Sequence, residues 1–255
     1  MNPLVTLGRS QVSDARYPQL WRGLVGAWLP AQGRKHNSLV LDYSGNGNHG
    51  TLTNGAAFAP GRAGYGGSFD GSNDYVVGAN AGINFPVGGS RRSLALWMKS
   101  GGWSGDNGIF HWGTDGGSPT DANIHLVAGT GGVILWGNGY SGHLTSGSVT
   151  VNDSKWHHIV GTYDGTNGVI WIDGRQTQSS TWTPATLTGT NWRMGSFMSN
   201  AGFFPGVLSD VLLYNRLLQP AEIRLLATGS NPFEKKGRVL GRLGTRGYSF
   251  ASAAA

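Results

Sequence analysis

The run 153–165, Asp-Ser-Lys-Trp-His-His-Ile-Val-Gly-Thr-Tyr-Asp-Gly, constrains the fold more than any other part of this chain. Its alternation predicts a β-strand with Trp156 and Val160 on one side and Ile159 on the other. The strand ends at the Asp-Gly pair of 164–165, and the next apolar run, 169–172, ends at a second Asp-Gly pair. Because such turn pairs between strand-like runs are strong hairpin signals, the sequence predicts two neighbouring antiparallel strands.

The composition is typical of a chain with many turns and a large apolar core. Glycine accounts for 44 of the 255 residues, charged residues make up 13%, and there are ten tryptophans. The absence of cysteine excludes disulfides and cysteine-based metal or redox sites. No apolar run approaches the ~18 residues of a membrane span. The first residues lack the basic and apolar regions of a secretory signal. We expect one large β-sandwich or two small domains, with no membrane contact.

The net charge of +6 is concentrated at the two ends of the sequence. Residues 1–22 carry three basic residues and one acidic residue (3 − 1 = +2), residues 230–255 carry five and one (5 − 1 = +4), and 23–229 is neutral. We therefore expect an N-terminal arm (1–22), a globular domain (23–229) and a basic, glycine-rich C-terminal arm (230–255). Such arms either only keep the protein soluble or bind an acidic partner surface. The basic residues assigned to partner binding are Arg9, Arg16, Lys235, Lys236, Arg238, Arg242 and Arg246.

Further strands are predicted at 24–29, 93–99 and within 204–216, from their apolar and alternating patterns. The one convincing helix is 220–227, because Pro220 suits the first helical position and Gly229 suits the left-handed stop after the last turn. Residues 101–150 are rich in glycine and aromatic residues, and we expect two or three strands with long loops there.

These segments resemble, in order, the laminin-G-like (concanavalin A-like) jelly-roll family. The resemblance also includes the loop 42–52, the turn and strand 68–76, and the Lys-Trp-His-His strand, and it covers roughly residues 23–228. It implies an all-β fold with two antiparallel sheets packed face to face, one short C-terminal helix and extended basic termini. The tryptophans expected to point into the core are Trp28, Trp97, Trp156 and Trp171.

Catalysis is not expected. Glycosidases of this shape need two carboxyl groups flanking the scissile bond, commonly two glutamates on one strand. The chain contains only Glu222, in the predicted helix, and Glu234, in the C-terminal arm. The Gly-x-Gly-x-x-Gly pattern of 45–50 is not a dinucleotide fingerprint, because no helix can follow it.

The resemblance also implies a structural calcium at the rim of the sandwich. Oxygen ligands suit this ion, and Asp42, Asn46 and Asp210 are the candidates. Ser209 stands where the family commonly has a second aspartate, which would weaken the site. The alternative is that Asp42 and Asn46 only make turn hydrogen bonds.

Glycan binding would use exposed aromatic rings as stacking platforms. The candidates lie in or beside runs rich in Gly, Ser and Thr: Trp103, Trp112, Trp136, Tyr140, His143 and Trp182. The alternative for each is that it plugs an end of the sandwich. Specific nucleic-acid binding is not expected, because the body is neutral.

Three functions remain open. The first is a decoration or adhesion subunit of a phage particle, displayed on the virion surface, with the arms bound to capsid or neighbouring subunits. The second is a carbohydrate-binding lectin module of a secreted bacterial protein, acting outside cells on a cell-surface glycan. The third is a glycoside hydrolase. The first is preferred, with a homo-oligomer expected, because domains of this family mostly act outside cells while the sequence shows no export signal.

Overall fold

A computed structural model describes residues 15–30, 33–79, 84–113, 123–138, 142–183, 191–197, 199 and 201–234. At 79, 123–124, 138 and 142–143 only the backbone is described. Within these ranges no helix is long and apolar enough to span a membrane.

The described chain forms sixteen strands, two short 3₁₀ turns at Pro18–Trp21 and Thr130–Gly132, and one α-helix. The elements are β1 (Leu24–Trp28), β2 (Leu39–Val40), β3 (Gly50–Thr53), β4 (Ala57–Pro60), β5 (Tyr65–Asp70), β6 (Tyr75–Ala79), β7 (Arg92–Lys99), β8 (Asn107–Gly113), β9 (Asn123–Ala128), β10 (Ile134–Asn138), β11 (Gly142–Thr145), β12 (Trp156–Tyr163), β13 (Asn167–Ile172), β14 (Arg175–Thr181), β15 (Asn191–Met194), β16 (Pro205–Tyr214) and α1 (Pro220–Ala227).

The strands form two eight-stranded antiparallel sheets, which confirms the expected sandwich. The first sheet has the order β14-β13-β12-β7-β16-β5-β4, with β1 also paired to β16. The second has the order β11-β10-β9-β8-β15-β6-β3-β2. The predicted hairpin is β12–β13, and Asp164 closes its turn by accepting the N–H groups of Thr166 and Asn167. Region 101–150 holds four strands, β8–β11, instead of the two or three expected.

The core between the sheets is built from large aromatic rings. Trp28, Phe110 and Trp192 are buried and in contact, with ring centroids 4.5 Å apart for Trp28–Trp192 and 5.5 Å for Phe110–Trp192. Glycines on the facing strands make room for these rings, because a Cβ atom at Gly78 would collide with Trp192 and one at Gly161 with Trp136. Glycine at these two positions therefore permits the close packing of the tryptophan rings.

A second apolar cluster covers the outer face of the first sheet. Leu20 of the 3₁₀ turn and Ile223 of α1 are fully buried there against residues of β7, β12 and β16. Glu222 completes the capping box of α1 and forms a two-point ion pair with Arg216. The predicted helix bounds, with Pro220 first and Gly229 at φ +94°, are confirmed.

Three of the four tryptophans predicted to be inward are on the outer side of the first sheet. Trp28 is in the core, whereas Trp97, Trp156 and Trp171 alternate with the inward residues of β7, β12 and β13. The Arg62 guanidinium lies 3.9 Å from the centroid of the Trp97 ring. The prediction was wrong because this sheet is apolar on both faces, so alternation alone could not tell inside from outside.

The packed body extends beyond the expected boundaries at 23 and 229. Trp21 Nε1 donates to the Pro232 carbonyl (2.6 Å), and its ring meets Phe233 edge-on at 5.1 Å. The Arg16 N–H donates to the Glu234 carbonyl, and their side chains form an exposed ion pair at 3.6 Å. Arg16, expected to contact a partner, thus binds its own chain. The other arm residues, Arg9, Lys235, Lys236, Arg238, Arg242 and Arg246, lie outside the described residues.

Candidate functional site

The outer face of the second sheet carries a row of polar and aromatic side chains. Strand pairing places His125 beside His111, His111 beside Arg193, and Arg193 beside Val77. The neighbours of these residues along each strand, such as Phe110 and Trp192, point into the core, so the row faces outward. Among the described residues, both the 3₁₀ turn at 18–21 and α1 pack on the other sheet.

Five side chains form a compact group on this face, which we call the outer-face cluster: Tyr75, His111, His125, Arg193 and Phe197. The Arg193 guanidinium lies over the Tyr75 ring, 4.4 Å from its centroid, and donates to the Phe197 carbonyl at 3.2 Å. The two imidazoles meet edge-on at 5.8 Å, and the Phe197 ring covers both at 6.1–6.3 Å. The histidines are buried, while the other three side chains are half-buried. The cluster thus presents aromatic surface and N–H donors together.

The loop after β15 holds Phe197 in place, and two glycines let it lie on β8. The Gly108 N–H donates to the Gly202 carbonyl, and the Phe197 N–H donates to the Ala201 carbonyl. A Cβ atom at Gly108 would collide with the backbone of the loop, and one at Gly202 with the Phe197 ring. Gly202 also has φ +56°, where residues with a side chain are strained.

The cluster keeps at least one of its histidines neutral near pH 7. Burial lowers the pKa of His111 well below 6.5, and the nearby His125 and Arg193 lower it further. Both imidazoles are buried beneath Phe197, so the half-buried Arg193 guanidinium, which can only donate hydrogen bonds, is the polar group of the cluster nearest the surface.

The structure does not support the predicted aromatic platforms at Trp112 and Trp136. Both are fully buried, and their Nε1 atoms donate to the carbonyls of Pro86 (3.0 Å) and Thr162 (3.1 Å). Trp103 and Trp182 are half-buried and pack against the core. Trp112 and Trp136 therefore follow the alternative expectation, because their rings fill the sandwich, whereas Trp103 and Trp182 keep part of their surface exposed.

Tyr140 lies outside the described residues, and so does the side chain of His143. The backbone of His143 is paired with Gly137, one step beyond His125 in the same row.

Asp42 does not fit a calcium ligand. Its carboxylate is buried and accepts four hydrogen bonds, from the N–H groups of Ala27, Ser44 and Asn48 and from the Ser44 hydroxyl, at 2.8–2.9 Å. A cation would have to displace these donors. Among the residues that the structure describes, no group of three His, Cys, Asp or Glu side chains could hold a metal ion.

The other two calcium candidates also make hydrogen bonds, although these leave the Asn46 Oδ1 atom, the one that would bind a cation, without a donor from the loop. Asn46 Nδ2 donates to the carbonyls of Leu24 and Val25, both at 3.0 Å. Asp210 lies at the irregularity where β16 changes partner from β5 to β1, and it accepts a bond from the Ser209 hydroxyl at 2.8 Å. The turn hydrogen bonds considered as the alternative are present for Asp42 and Asn46.

The outer-face cluster was missed by the sequence reasoning, although one signal for it existed. In β8 the order Phe110, His111, Trp112 alternates apolar, polar, apolar, which by itself places the histidine on the face opposite the core. No local pattern indicates that Arg193 and Tyr75, far apart in sequence, meet beside it.

Solved structures with a similar fold include a domain of a bacterial arabinanase and the binding domain of a neurotoxin. Domain 4 of an extracellular arabinanase from Geobacillus stearothermophilus, in complex with arabinotriose, superposes with a TM-score of 0.65 at 19% identity, covering 80% of this chain and 98% of that domain. The botulinum neurotoxin serotype D binding domain gives a TM-score of 0.64 at 14% identity, covering 83% of this chain and 53% of that chain. At such identities the similarity concerns the fold.

Sequence comparison gives a relative and a family. A Rattus norvegicus protein named "Sushi, von Willebrand factor type A, EGF and pentraxin domain-containing protein 1" is 27% identical over 163 residues, which is 58% of this chain and 4% of that protein. The laminin G family model described as "Concanavalin A-like lectin/glucanases superfamily" matches residues 70–224. This match spans more than half of the chain, which therefore belongs to the concanavalin A-like lectin/glucanases superfamily.

Proposed function

We propose that this protein is a non-catalytic, lectin-like domain that binds carbohydrate at the outer-face cluster. The observation that carries the proposal is the grouping of two half-buried aromatic rings, a guanidinium and two imidazoles on the sheet face that neither α1 nor the 3₁₀ turn at 18–21 covers. Sugar rings stack on aromatic faces and exchange hydrogen bonds with a few fixed polar groups. Tyr75 and Phe197 would supply the rings, and Arg193 the donors.

The comparisons support carbohydrate as the ligand class. The arabinanase domain is described in complex with arabinotriose, and the neurotoxin relatives are described as binding domains. On the basis of these similar structures, we propose that the chain binds its ligand outside the cell.

The positions of the two glutamates support a non-catalytic role. Glu222 is held in its ion pair with Arg216 and in the helix cap, and Glu234 is paired with Arg16. Both lie with the terminal segments on the first sheet, away from the outer-face cluster. Neither forms part of a carboxyl pair across a groove, which hydrolysis of a glycosidic bond requires.

A glycan array followed by calorimetric titration of the best glycan tests the proposal. Tyr75→Ala and Arg193→Ala should each weaken binding at least tenfold, about 1.4 kcal/mol. Tyr65→Ala is the matched control, because Tyr65 is an exposed tyrosine of the first sheet that also lies under a cation, Lys35. Loss of binding in the control but not in Tyr75→Ala would refute the assignment to the outer-face cluster.

Attachment to a virus particle remains a prediction about the arms. It depends on Lys235, Lys236, Arg238, Arg242 and Arg246, which lie outside the described residues. Removal of 235–255 should prevent incorporation into such a particle. Unchanged incorporation would contradict the prediction.

A further inference from the structure

We propose that Asn46 is a site of spontaneous deamidation, a chemical modification that converts it to aspartate or isoaspartate and loosens the loop beside β1. Deamidation is fastest at asparagines followed by glycine, because a side chain on the next residue hinders ring closure. Within the described ranges the sequence contains four such pairs, at 46–47, 54–55, 107–108 and 167–168, and a fifth, at 138–139, lies partly outside them. The inference does not depend on carbohydrate binding, because the loop 42–48 is bonded to β1 of the first sheet.

The reaction has two steps, and the first one decides its rate. The backbone nitrogen of the glycine loses its proton to hydroxide and attacks the side-chain Cγ of the asparagine, which closes a succinimide ring. The Cγ–Nδ2 bond breaks, and the side-chain nitrogen takes a proton from water and leaves as ammonia. Water then adds to either carbonyl of the ring and opens it to a carboxyl group, which gives aspartate or isoaspartate. The glycine N–H must therefore be able to lose its proton.

Three of the four pairs have a glycine whose backbone is held. The Gly55 N–H donates to Asp74 Oδ1 at 2.8 Å, and the Gly108 N–H donates to the Gly202 carbonyl at 2.7 Å. Gly168 lies inside the first sheet, where β13 is paired with β12 on one side and with β14 on the other. Attack by the nitrogen would first have to break these interactions, and a lost hydrogen bond raises the barrier.

Gly47 is held by no such bond. Its N–H makes no hydrogen bond to any residue that the structure describes, and the residue is exposed. No atom lies within 4 Å of the position that a Cβ atom would take at Gly47. Gly45 and Gly47 have φ +90° and +77°, a region that glycine enters at little cost. Glycines on both sides of Asn46 thus give the backbone the freedom that ring closure requires.

The side-chain amides do not separate the four pairs, because each of them is hydrogen-bonded. Asn46 Nδ2 donates to the carbonyls of Leu24 and Val25, both at 3.0 Å. The acceptors for Asn54, Asn107 and Asn167 are the Asn73 carbonyl, the Ser104 carbonyl and the Asp164 carboxylate. The state of the glycine N–H is therefore the difference that selects Asn46.

The modification replaces a donor by an acceptor at the point where the loop is tied to β1. Besides the two carbonyls of β1, Asn46 Nδ2 also donates to the Ser44 hydroxyl at 3.0 Å. An ionised carboxylate only accepts hydrogen bonds, so it would face the carbonyls of Leu24 and Val25 without a bond to either. We therefore expect the deamidated protein to be less stable than the unmodified one.

Timed incubation of the folded protein at mildly alkaline pH, followed by peptide mass spectrometry, tests the selectivity. Asn46 should deamidate at least about tenfold faster than Asn54, Asn107 and Asn167, the rate equivalent of about 1.4 kcal/mol. Incubation in concentrated urea is the control, because the differences among the four pairs should disappear in the unfolded chain. Asn46→Gln, which would have to close a larger ring, should stay unmodified at 46. Equal rates in the folded protein, or a faster reaction at any of the other three, would overturn the proposal.

Urea unfolding of two variants tests the consequence separately. Asn46→Asp introduces the carboxylate directly and should lower the unfolding midpoint. Asn37→Asp is the matched control, because Asn37 is exposed and its side chain makes no hydrogen bond to the described part of the chain. The control adds the same charge and should leave the midpoint nearly unchanged. An Asn46→Asp midpoint no lower than that of the control would overturn the claim that the modification loosens the loop.

Discussion

We expect Asp42 to contribute more to stability than any other loop carboxylate of the described chain, because its buried carboxylate accepts hydrogen bonds from four donors. Its carboxylate binds β1 through the Ala27 N–H and binds its own loop through Ser44 and Asn48. The loop is also tied to the core, since Trp28 Nε1 donates to the Asn48 carbonyl at 2.6 Å. Loss of the carboxylate therefore affects both the loop and the buried Trp28 ring beneath it.

The magnitude follows from what Asp42→Ala leaves unpaired. Ala27 and Asn48 are buried, so each of their N–H groups loses its partner at a cost of about 1–3 kcal/mol. The Ser44 N–H is partly exposed and can bind water, and the Ser44 hydroxyl keeps the Val25 carbonyl. The sum is about 2–6 kcal/mol, a large share of a typical folding free energy of ~5–15 kcal/mol.

A urea titration of two variants and a control measures this. Asp42→Asn keeps one acceptor oxygen but turns an amide N–H₂ toward the Asn48 N–H, so we expect a loss of about 1–3 kcal/mol. Asp70→Ala is the control, because Asp70 accepts from Ser72 and Asn73 in an exposed turn where water can replace it. Equal unfolding midpoints for Asp42→Ala and Asp70→Ala would refute the argument.

Three further predictions concern calcium, pH and the loop over the candidate site. The melting temperature should be the same in calcium as in chelator, because the Asp42 carboxylate, the proposed ligand, is already saturated by hydrogen-bond donors. A higher melting temperature in calcium would show that a calcium site exists. Burial alone would lower the pKa of His157, but hydrogen bonds to Asp173 (2.8 Å) and Asp153 (3.0 Å) raise it above 6.5. Its stabilising effect is therefore full below about pH 6.5 and is lost as the pH rises through the folded-state pKa, so the stability margin over His157→Gln should shrink as the pH rises above about 6.5. Gly202→Ala should destabilise the protein by about 2–4 kcal/mol, from strain plus collision. Gly131→Ala is the control, because Gly131 has φ +82° but no atom lies within 4 Å of the position that a Cβ atom would take, so this variant measures the strain alone. Equal losses of stability in the two variants would refute the steric argument.

The sequence predicts the parts of this fold that rest on local chemistry. The β12–β13 hairpin follows from its two Asp-Gly pairs, and α1 from Pro220 and Gly229, since each signal acts within a few residues. Which face of a strand points into the core, in contrast, is not determined by nearby residues. Trp97 and Trp171 alternate correctly along their strands, yet which side is interior depends on the terminal segments that cover the outside of the sheet.

The candidate site could be predicted only in part for the same reason. A tryptophan in a glycine-rich run looks exposed, but Trp112 is buried in the core and Trp136 occupies space that Gly161 on another strand provides. His111 could be placed outward from its own strand. That His111 lies beside Arg193 depends on the pairing of β8 with β15 in the sheet, which no local sequence pattern indicates.

The described chain ends and the proposed carbohydrate site lie on opposite faces of the sandwich. The described chain begins at Ala15 and ends at Glu234, and these ends pack together on the outer side of the first sheet. The outer-face cluster lies on the opposite side, with both sheets and the aromatic core between them. A partner held near the chain ends therefore does not cover the proposed carbohydrate site. Attachment near the chain ends and recognition at the outer-face cluster would therefore use opposite faces of the described sandwich.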